Sequence, residues 1–303
     1  MKVEKLDVCP LKNPNLLVKV TDMGNVIEIQ YMDHRNNKQT IRMLPGGLEF
    51  MELSTGEVKQ CQIHNSRAEQ KKSLYRTFKN ARGLINANVT DVKNVRWITL
   101  TYAENMTDTN RLYEDFKKFH MRFQAYCKRE GIICPEYIVM MEPQGRGAWH
   151  CHLLYIWDKK APYIANKTLR EIWQQGFVKI KKLDDVDNVG AYLTAYLGDM
   201  DLDDCIKTGT PLYDGASYKT IEVDGKSKYF VKGARLDLYP AKFNMIRSSR
   251  GVKRPIEEMM TQKMALKKVS SAKPTYEKTI KLIDESSKFE CVINTIQYNK
   301  LRK

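Results

Sequence analysis

No run of apolar residues in this 303-residue chain is long enough to cross a bilayer, and the opening Met1-Lys-Val-Glu-Lys-Leu-Asp7 lacks the apolar stretch of a secretory signal. The expectation is a soluble protein of the cytoplasm with no membrane partner. Cysteine is present but unpatterned: the seven (9, 61, 127, 134, 151, 205, 291) are odd in number and include no Cys-x-x-Cys pair. That supports neither a disulfide framework nor a zinc ribbon, and the expectation is free thiols in a reducing cytoplasm. The phosphate-loop pattern Gly-x-x-x-x-Gly-Lys-Ser/Thr is missing too, which argues against an intrinsic helicase motor. There is no internal repeat.

Acidic residues are also in short supply. Lys and Arg number 51 against 36 Asp and Glu, a formal charge of +15. A field of that sign supplies sequence-independent affinity for phosphates and points to nucleic acid as the partner. The excess is uneven. From residue 241 to the end there are 15 basic and 6 acidic residues, and Lys71, Lys72, Arg76, Lys79, Arg82, Lys93 and Arg96 form a second cluster relieved only by Asp91. Both lie away from the histidine pair described next, as expected of surfaces that grip flanking DNA.

The most informative stretch is Glu142-Pro-Gln-Gly-Arg-Gly-Ala-Trp-His150-Cys151-His152. Alternation along a strand sends His150 and His152 out of one face, where they can share a divalent cation, while Trp149, Cys151 and Leu153 point to a core. Glu142 ends the preceding strand, and the Pro-Gln-Gly-Arg-Gly turn predicts a hairpin that returns its carboxylate to the same place. Downstream, a helix over 186–198 places Val186, Val189, Leu193 and Leu197 on a buried stripe, with Tyr192 and Tyr196 one turn apart beside it. A phenol titrates near 10, so a tyrosine becomes a useful nucleophile only with help from a base or a metal-polarised electrophile.

The order of three blocks, Ile98-Thr-Leu-Thr-Tyr102, Trp149-His-Cys-His-Leu153 and Tyr192-x-x-x-Tyr196, resembles the HUH endonuclease superfamily, and within it the rolling-circle replication initiators (Rep proteins) of small plasmids and single-stranded DNA phages. The segment Lys232–Pro240 running into Arg247–Pro255 is similar to the tail of the phage-type members. The resemblance implies metal ligands His150, His152 and Glu142 for Mg²⁺ or Mn²⁺. It implies Tyr192 and Tyr196 as catalytic nucleophiles and a 5′-phosphotyrosine intermediate; Tyr192, flanked by small Gly190 and Ala191 and farther from Asp199, is the first candidate. It also implies single-stranded or hairpin origin DNA as substrate, with a host helicase and polymerase completing replication in a bacterial cytoplasm. Conjugative relaxases of the superfamily carry their tyrosine ahead of the histidines, the opposite order. A transposase of the same superfamily is one alternative and a non-catalytic origin-binding protein another. The chain departs from the family pattern where a lysine often follows the tyrosine: Ala195 and Asp199 stand there. No basic residue falls between Asp184 and Asp204, whereas seven aspartates do. Asp199 is either an additional metal ligand or a solvated helix end.

The core is expected to run strand 95–102, helix 109–129, strand 136–142, strand 149–156, helix 166–174, strand 177–182, then the tyrosine helix. In the first of these helices Leu112, Phe116, Phe119 and Phe123 make an aromatic core stripe, and His120 reads as structural. The expected fold class is α+β, a small antiparallel sheet with helices packed on it, which the resemblance implies is RRM-like. A β-rich N-terminal accessory region (1–90, with a helix from about residue 66 to 80), the nicking domain (91–255) and a basic C-terminal extension (256–303) that opens with a helix over 256–268 complete the division.

Overall fold

The computed structural model describes residues 2–7, 13–34, 39–183, 186–194, 197–208, 218–223, 226–285 and 288–302. The chain divides into two compact units, Met1–Thr21 with Ile27–Asn65 and Glu257–Lys303, and Asp22–Val26 with Ser66–Ile256. Both are built from antiparallel strands and helices, so the fold class is α+β, as expected.

In the first unit, strands β1 (Lys2–Leu6), β2 (Leu17–Met23) and β3 (Val26–Met32) are followed by a separate small sheet of β4 (Ile41–Met43), β5 (Glu49–Glu52) and β6 (Val58–Gln60). The second unit begins with α1 (Lys71–Asn88), later and longer than the helix expected there, and continues through β7 (Val95–Tyr102), α2 (Thr109–Arg129), β8 (Glu136–Pro143), β9 (Trp149–Ile156), α3 (Asn166–Trp173), β10 (Gly176–Lys181) and α4 (Val189–Thr194). It closes with β11 (Met200–Asp201), α5 (Leu202–Thr208), β12 (Tyr218–Val223), β13 (Lys226–Val231) and β14 (Ile246–Ser248). The remaining elements are β15 (Ile256–Thr261), α6 (Gln262–Val269), β16 (Pro274–Asp284) and β17 (Phe289–Asn299).

The two ends of the chain, which the sequence suggests are separate attachments, share one six-stranded sheet in the order β1-β16-β17-β3-β2-β15. Its core includes Val18, Val20, Ile27, Ile29, Ala265, Val269 and Ile296. This corrects the helix expected over 256–268. Ile256-Glu-Glu-Met-Met-Thr261 pairs beside β2 as a strand, with Lys19 Nζ and Glu257 Oε1 2.8 Å apart, and the helix starts only where the Thr261 hydroxyl accepts from the Met264 amide at 3.4 Å. Strand pairing overrides the helical propensity of the glutamates and methionines.

The sheet that carries the histidines has the order β10-β7-β9-β8-β14. One face buries Ile98, Leu100, Tyr102, Cys151, Leu153 and Tyr155 against α2 and α3. Helix α2 opens where Asp108 accepts from the amides of Asn110 and Arg111, and its basic last turn suits the helix dipole. Its Phe119 and Phe123 stack on Tyr155, with ring centroids 6.5 and 4.3 Å away. Helix α3 is locked by the Trp173 indole, which donates to the Thr101 carbonyl at 3.1 Å. Strand β10 joins the edge through Gly176 at φ 154°, where an added Cβ would lie 2.4 Å from the Ala103 nitrogen. Only glycine permits that approach.

Candidate metal centre and nucleophile helix

The hairpin of β8 and β9 turns tightly: the Gln144 amide donates to the Ala148 carbonyl at 2.7 Å, and Gly147 takes a positive φ of 86°. Its register sets Glu142 directly opposite His150 and Met140 opposite His152. Opposed residues share a face, so both imidazoles and the carboxylate converge, as the sequence implied. One ligand atom from each of Glu142, His150 and His152 lies within 4.8 Å of the others. Glu142 Oε2 is 3.2 Å from His150 Nε2 and 3.1 Å from His152 Nε2. Two imidazole nitrogens and one carboxylate oxygen on one side of a sheet are a donor set compatible with a divalent metal. Thr99, opposite His152 in the register, puts its hydroxyl 3.3 Å from His152 Nδ1, within hydrogen-bonding distance of the ring it helps to orient.

Glu142 is 5 % exposed. Burial by itself would raise its pKa, but the Arg235 guanidinium, paired to Oε1, and the two imidazoles outweigh that and hold the carboxyl well below its ordinary range. Burial lowers the pKa of His150, with Glu142 opposing. Arg235 was not singled out from the sequence. Its segment Lys232–Pro240 had drawn notice only as a whole, and an arginine from 93 residues downstream carries no local signal that it meets Glu142.

Asp199 holds that arginine's turn in place. Its Oδ1 accepts from the Gly233 amide at 3.0 Å, and the Arg235 amide donates to the Gly198 carbonyl at 2.9 Å. Among the described residues the ligand cluster contains Glu142, His150 and His152, and half-buried Asp199 ties a loop. Burial raises its pKa, with the Gly233 amide opposing.

Helix α4 presents Tyr192 44 % exposed, while Val189 and Leu193 are buried in the main core. The Trp97 ring neighbours both this tyrosine and one histidine, 6.0 Å from Tyr192 and 6.0 Å from His152 by centroids. Ala195 and Tyr196 lie outside the described residues. Helix α4 packs against α1 through buried Asn86, which accepts from the Gly190 amide at 2.7 Å and donates to Asn188 Oδ1 at 2.9 Å. Asn188 in turn accepts from the Ala191 amide at 3.0 Å. A Cβ on Gly190 would sit 2.4 Å from the Arg82 carbonyl oxygen, so the glycine permits the contact. Nothing local marked Asn86, because the partner it holds is 104 residues away.

Residues 95–201 match the family model of the replication-associated protein ORF2, about a third of the chain running from β7 to β11. The match supports a Rep-type replication role and takes in Glu142, His150, His152 and Tyr192, but neither Asn86 nor Arg235. No curated protein and no solved structure matches the chain. No helix among the described residues is long and apolar enough to cross a membrane.

Proposed function

We propose that this chain nicks and rejoins one DNA strand at a replication origin and so starts rolling-circle replication, as HUH-type Rep proteins do. The observation that supports the reading is that the Trp97 ring stands 6.0 Å by centroids from both His152 of the three-ligand cluster and the solvent-exposed Tyr192. Tyr192 is the nucleophile. Its oxygen gives up its proton and attacks the scissile phosphorus, the bond from phosphorus to the 3′ oxygen breaks, and that oxygen leaves as a 3′-OH after taking up a proton. The product is a 5′-phosphotyrosine, and joining is the same exchange in reverse. Mg²⁺ or Mn²⁺ held by Glu142, His150 and His152 supplies polarisation of a phosphoryl oxygen. Thr99 and Arg235 orient His152 and Glu142, keeping the ligand atoms convergent.

The test is to mix the protein with Mn²⁺ and a labelled single-stranded origin oligonucleotide and resolve the products under denaturing conditions. A covalent adduct that Tyr192→Phe abolishes is the expected result; an adduct that persists in the variant reassigns the nucleophile, with Tyr196 next in line. A second reading, an origin-binding protein without nicking, draws support from the absence of any basic residue between Asp184 and Asp204. It requires binding with no adduct and no nick. Action on paired transposon ends instead of a single origin would mark the transposase alternative.

A further inference from the structure

On the half of the site face that belongs to β7 and β10, the β7 side chains are half-buried and those of the edge strand β10 are exposed. The register sets Phe177 opposite Thr101, which is opposite His150, and Lys179 opposite Thr99, which is opposite His152. Lys181 is opposite Trp97. Phe177, Lys179 and Lys181 therefore stand in a row on the edge strand, on the face of the metal ligands and two strands away from them, about 10 Å at the usual spacing between strands. All three are exposed, Phe177 by 64 %. The face positions of β7 and β10 in this row, Trp97, Thr99, Thr101, Phe177, Lys179 and Lys181, include no acidic residue, and among the described residues neither lysine is in an ion pair. The Lys181 ammonium lies 5.3 Å from the Trp97 ring centroid, so a positive charge sits over the ring that Tyr192 also touches. Helix α4 has no lysine of its own; Lys181 of the edge strand shares the Trp97 ring with Tyr192.

Resting on the nicking reading above, we infer that β10 and Trp97 form the track for the single DNA strand that flanks the scissile phosphate. Phe177 offers a face on which a base stacks, Lys179 and Lys181 take successive phosphates, and Lys181 neutralises charge close to Tyr192. A single strand is the occupant the chemistry favours, because an unpaired base can reach a protruding aromatic ring and a base inside a duplex cannot. Polar threonines between the row and the histidines leave a wettable path for the backbone.

The experiment measures binding by fluorescence anisotropy, in excess chelator, of the full chain to a labelled mixed-sequence single strand and to its duplex across a salt series. The proteins are wild type, Lys179→Ala/Lys181→Ala and Phe177→Ala, with thermal melts to show that each is folded. The double lysine variant is expected to bind the single strand about tenfold more weakly at physiological salt, with a log–log salt slope shallower by about 1.4, since each phosphate contact on a single strand contributes about 0.7. Phe177→Ala is expected to lose about tenfold with the slope unchanged. Folded variants with wild-type affinity and slope overturn the track. Equal losses for the duplex overturn the single-strand occupant. If wild type binds with this dependence yet forms no adduct in Mn²⁺, the track stands and the nicking reading falls.

Discussion

On the central sheet the same strands serve two environments. Along β9, Trp149, Cys151, Leu153 and Tyr155 are buried among α2, α3 and their aromatic stripe, whereas His150 and His152 keep some exposure on the opposite side. The helix-covered face has mutual support: Phe119 packs on Phe123, Tyr155 and Trp173, so each ring has several reasons to be where it is. The other face also buries Ile138, Met140 and Leu154, and beside them stand polar groups held by specific partners, Glu142 by Arg235 and His152 by Thr99. Packing supports both faces, whereas the chemistry is concentrated in a few contacts on the second. Substitutions on the two faces are therefore expected to fail in different ways.

The largest effect belongs to the ligands. His150→Ala and His152→Ala are each expected to reduce Mn²⁺-dependent nicking by more than about a hundredfold, with small changes in thermal stability, because each removes a donor from the metal-side cluster without opening the core. Nicking rates with and without chelator, beside a melting curve, check this, and undiminished cleavage in excess chelator would sink the metal reading. The mirror image is Phe119→Ala on the helix face. It is expected to cost about 3–5 kcal/mol by denaturant titration, while the fraction still folded keeps its nicking rate. If instead the folded fraction is inactive, the two faces are coupled and the contrast fails.

A smaller effect probes the contact that holds the tyrosine helix. Asn86→Ala leaves the Gly190 amide buried without its acceptor, at an expected cost of about 1–3 kcal/mol. If that contact also aims Tyr192, adduct formation falls by more than stability alone explains at a temperature where the variant is fully folded. Asn86→Asp, which can still accept from Gly190, is expected to recover part of the rate. A rate that follows the folded fraction alone would make Asn86 a packing residue.

The legibility of the molecule in its sequence follows the range of the interactions. Strands β7, β8 and β9 and helix α2 stand within a residue of where alternation and the Leu112, Phe116, Phe119, Phe123 rhythm place them, since those signals are local. The meeting of Glu142 with His150 and His152 was also readable, because a short hairpin fixes it. Arg235, Asn86 and the row on β10 were not, each depending on chain brought together from far away in sequence. The joining of β1, β2 and β3 with β15, β16 and β17 is of the same kind, as is the strand found at Ile256–Thr261 in place of a helix. Short-range periodicity decides an element only where no distant strand competes for its backbone.

The smallest predicted effect is a pH dependence that begins on the helix face. His120 of α2 lies with its Nδ1 3.0 Å from the Tyr155 hydroxyl and its ring 4.6 Å from that of Tyr137. Burial lowers its pKa, and the charge of Glu136 opposes without cancelling. Above about 6.5 the imidazole is neutral in folded and unfolded chain alike and contributes no pH slope. As the pH falls below that value the unfolded chain takes up the proton first, so stability declines until the folded pKa is also passed. Because the ring is partly solvated, the loss should stay under about 1 kcal/mol. Urea unfolding at about pH 7.5 and about pH 5.5 is to be compared for wild type and His120→Gln, whose amide can still meet the Tyr155 hydroxyl. The informative quantity is the difference between the two proteins' losses, in which the contributions common to both cancel. Wild type should lose more; equal losses would mean that His120 protonates in the folded chain as readily as in the unfolded one.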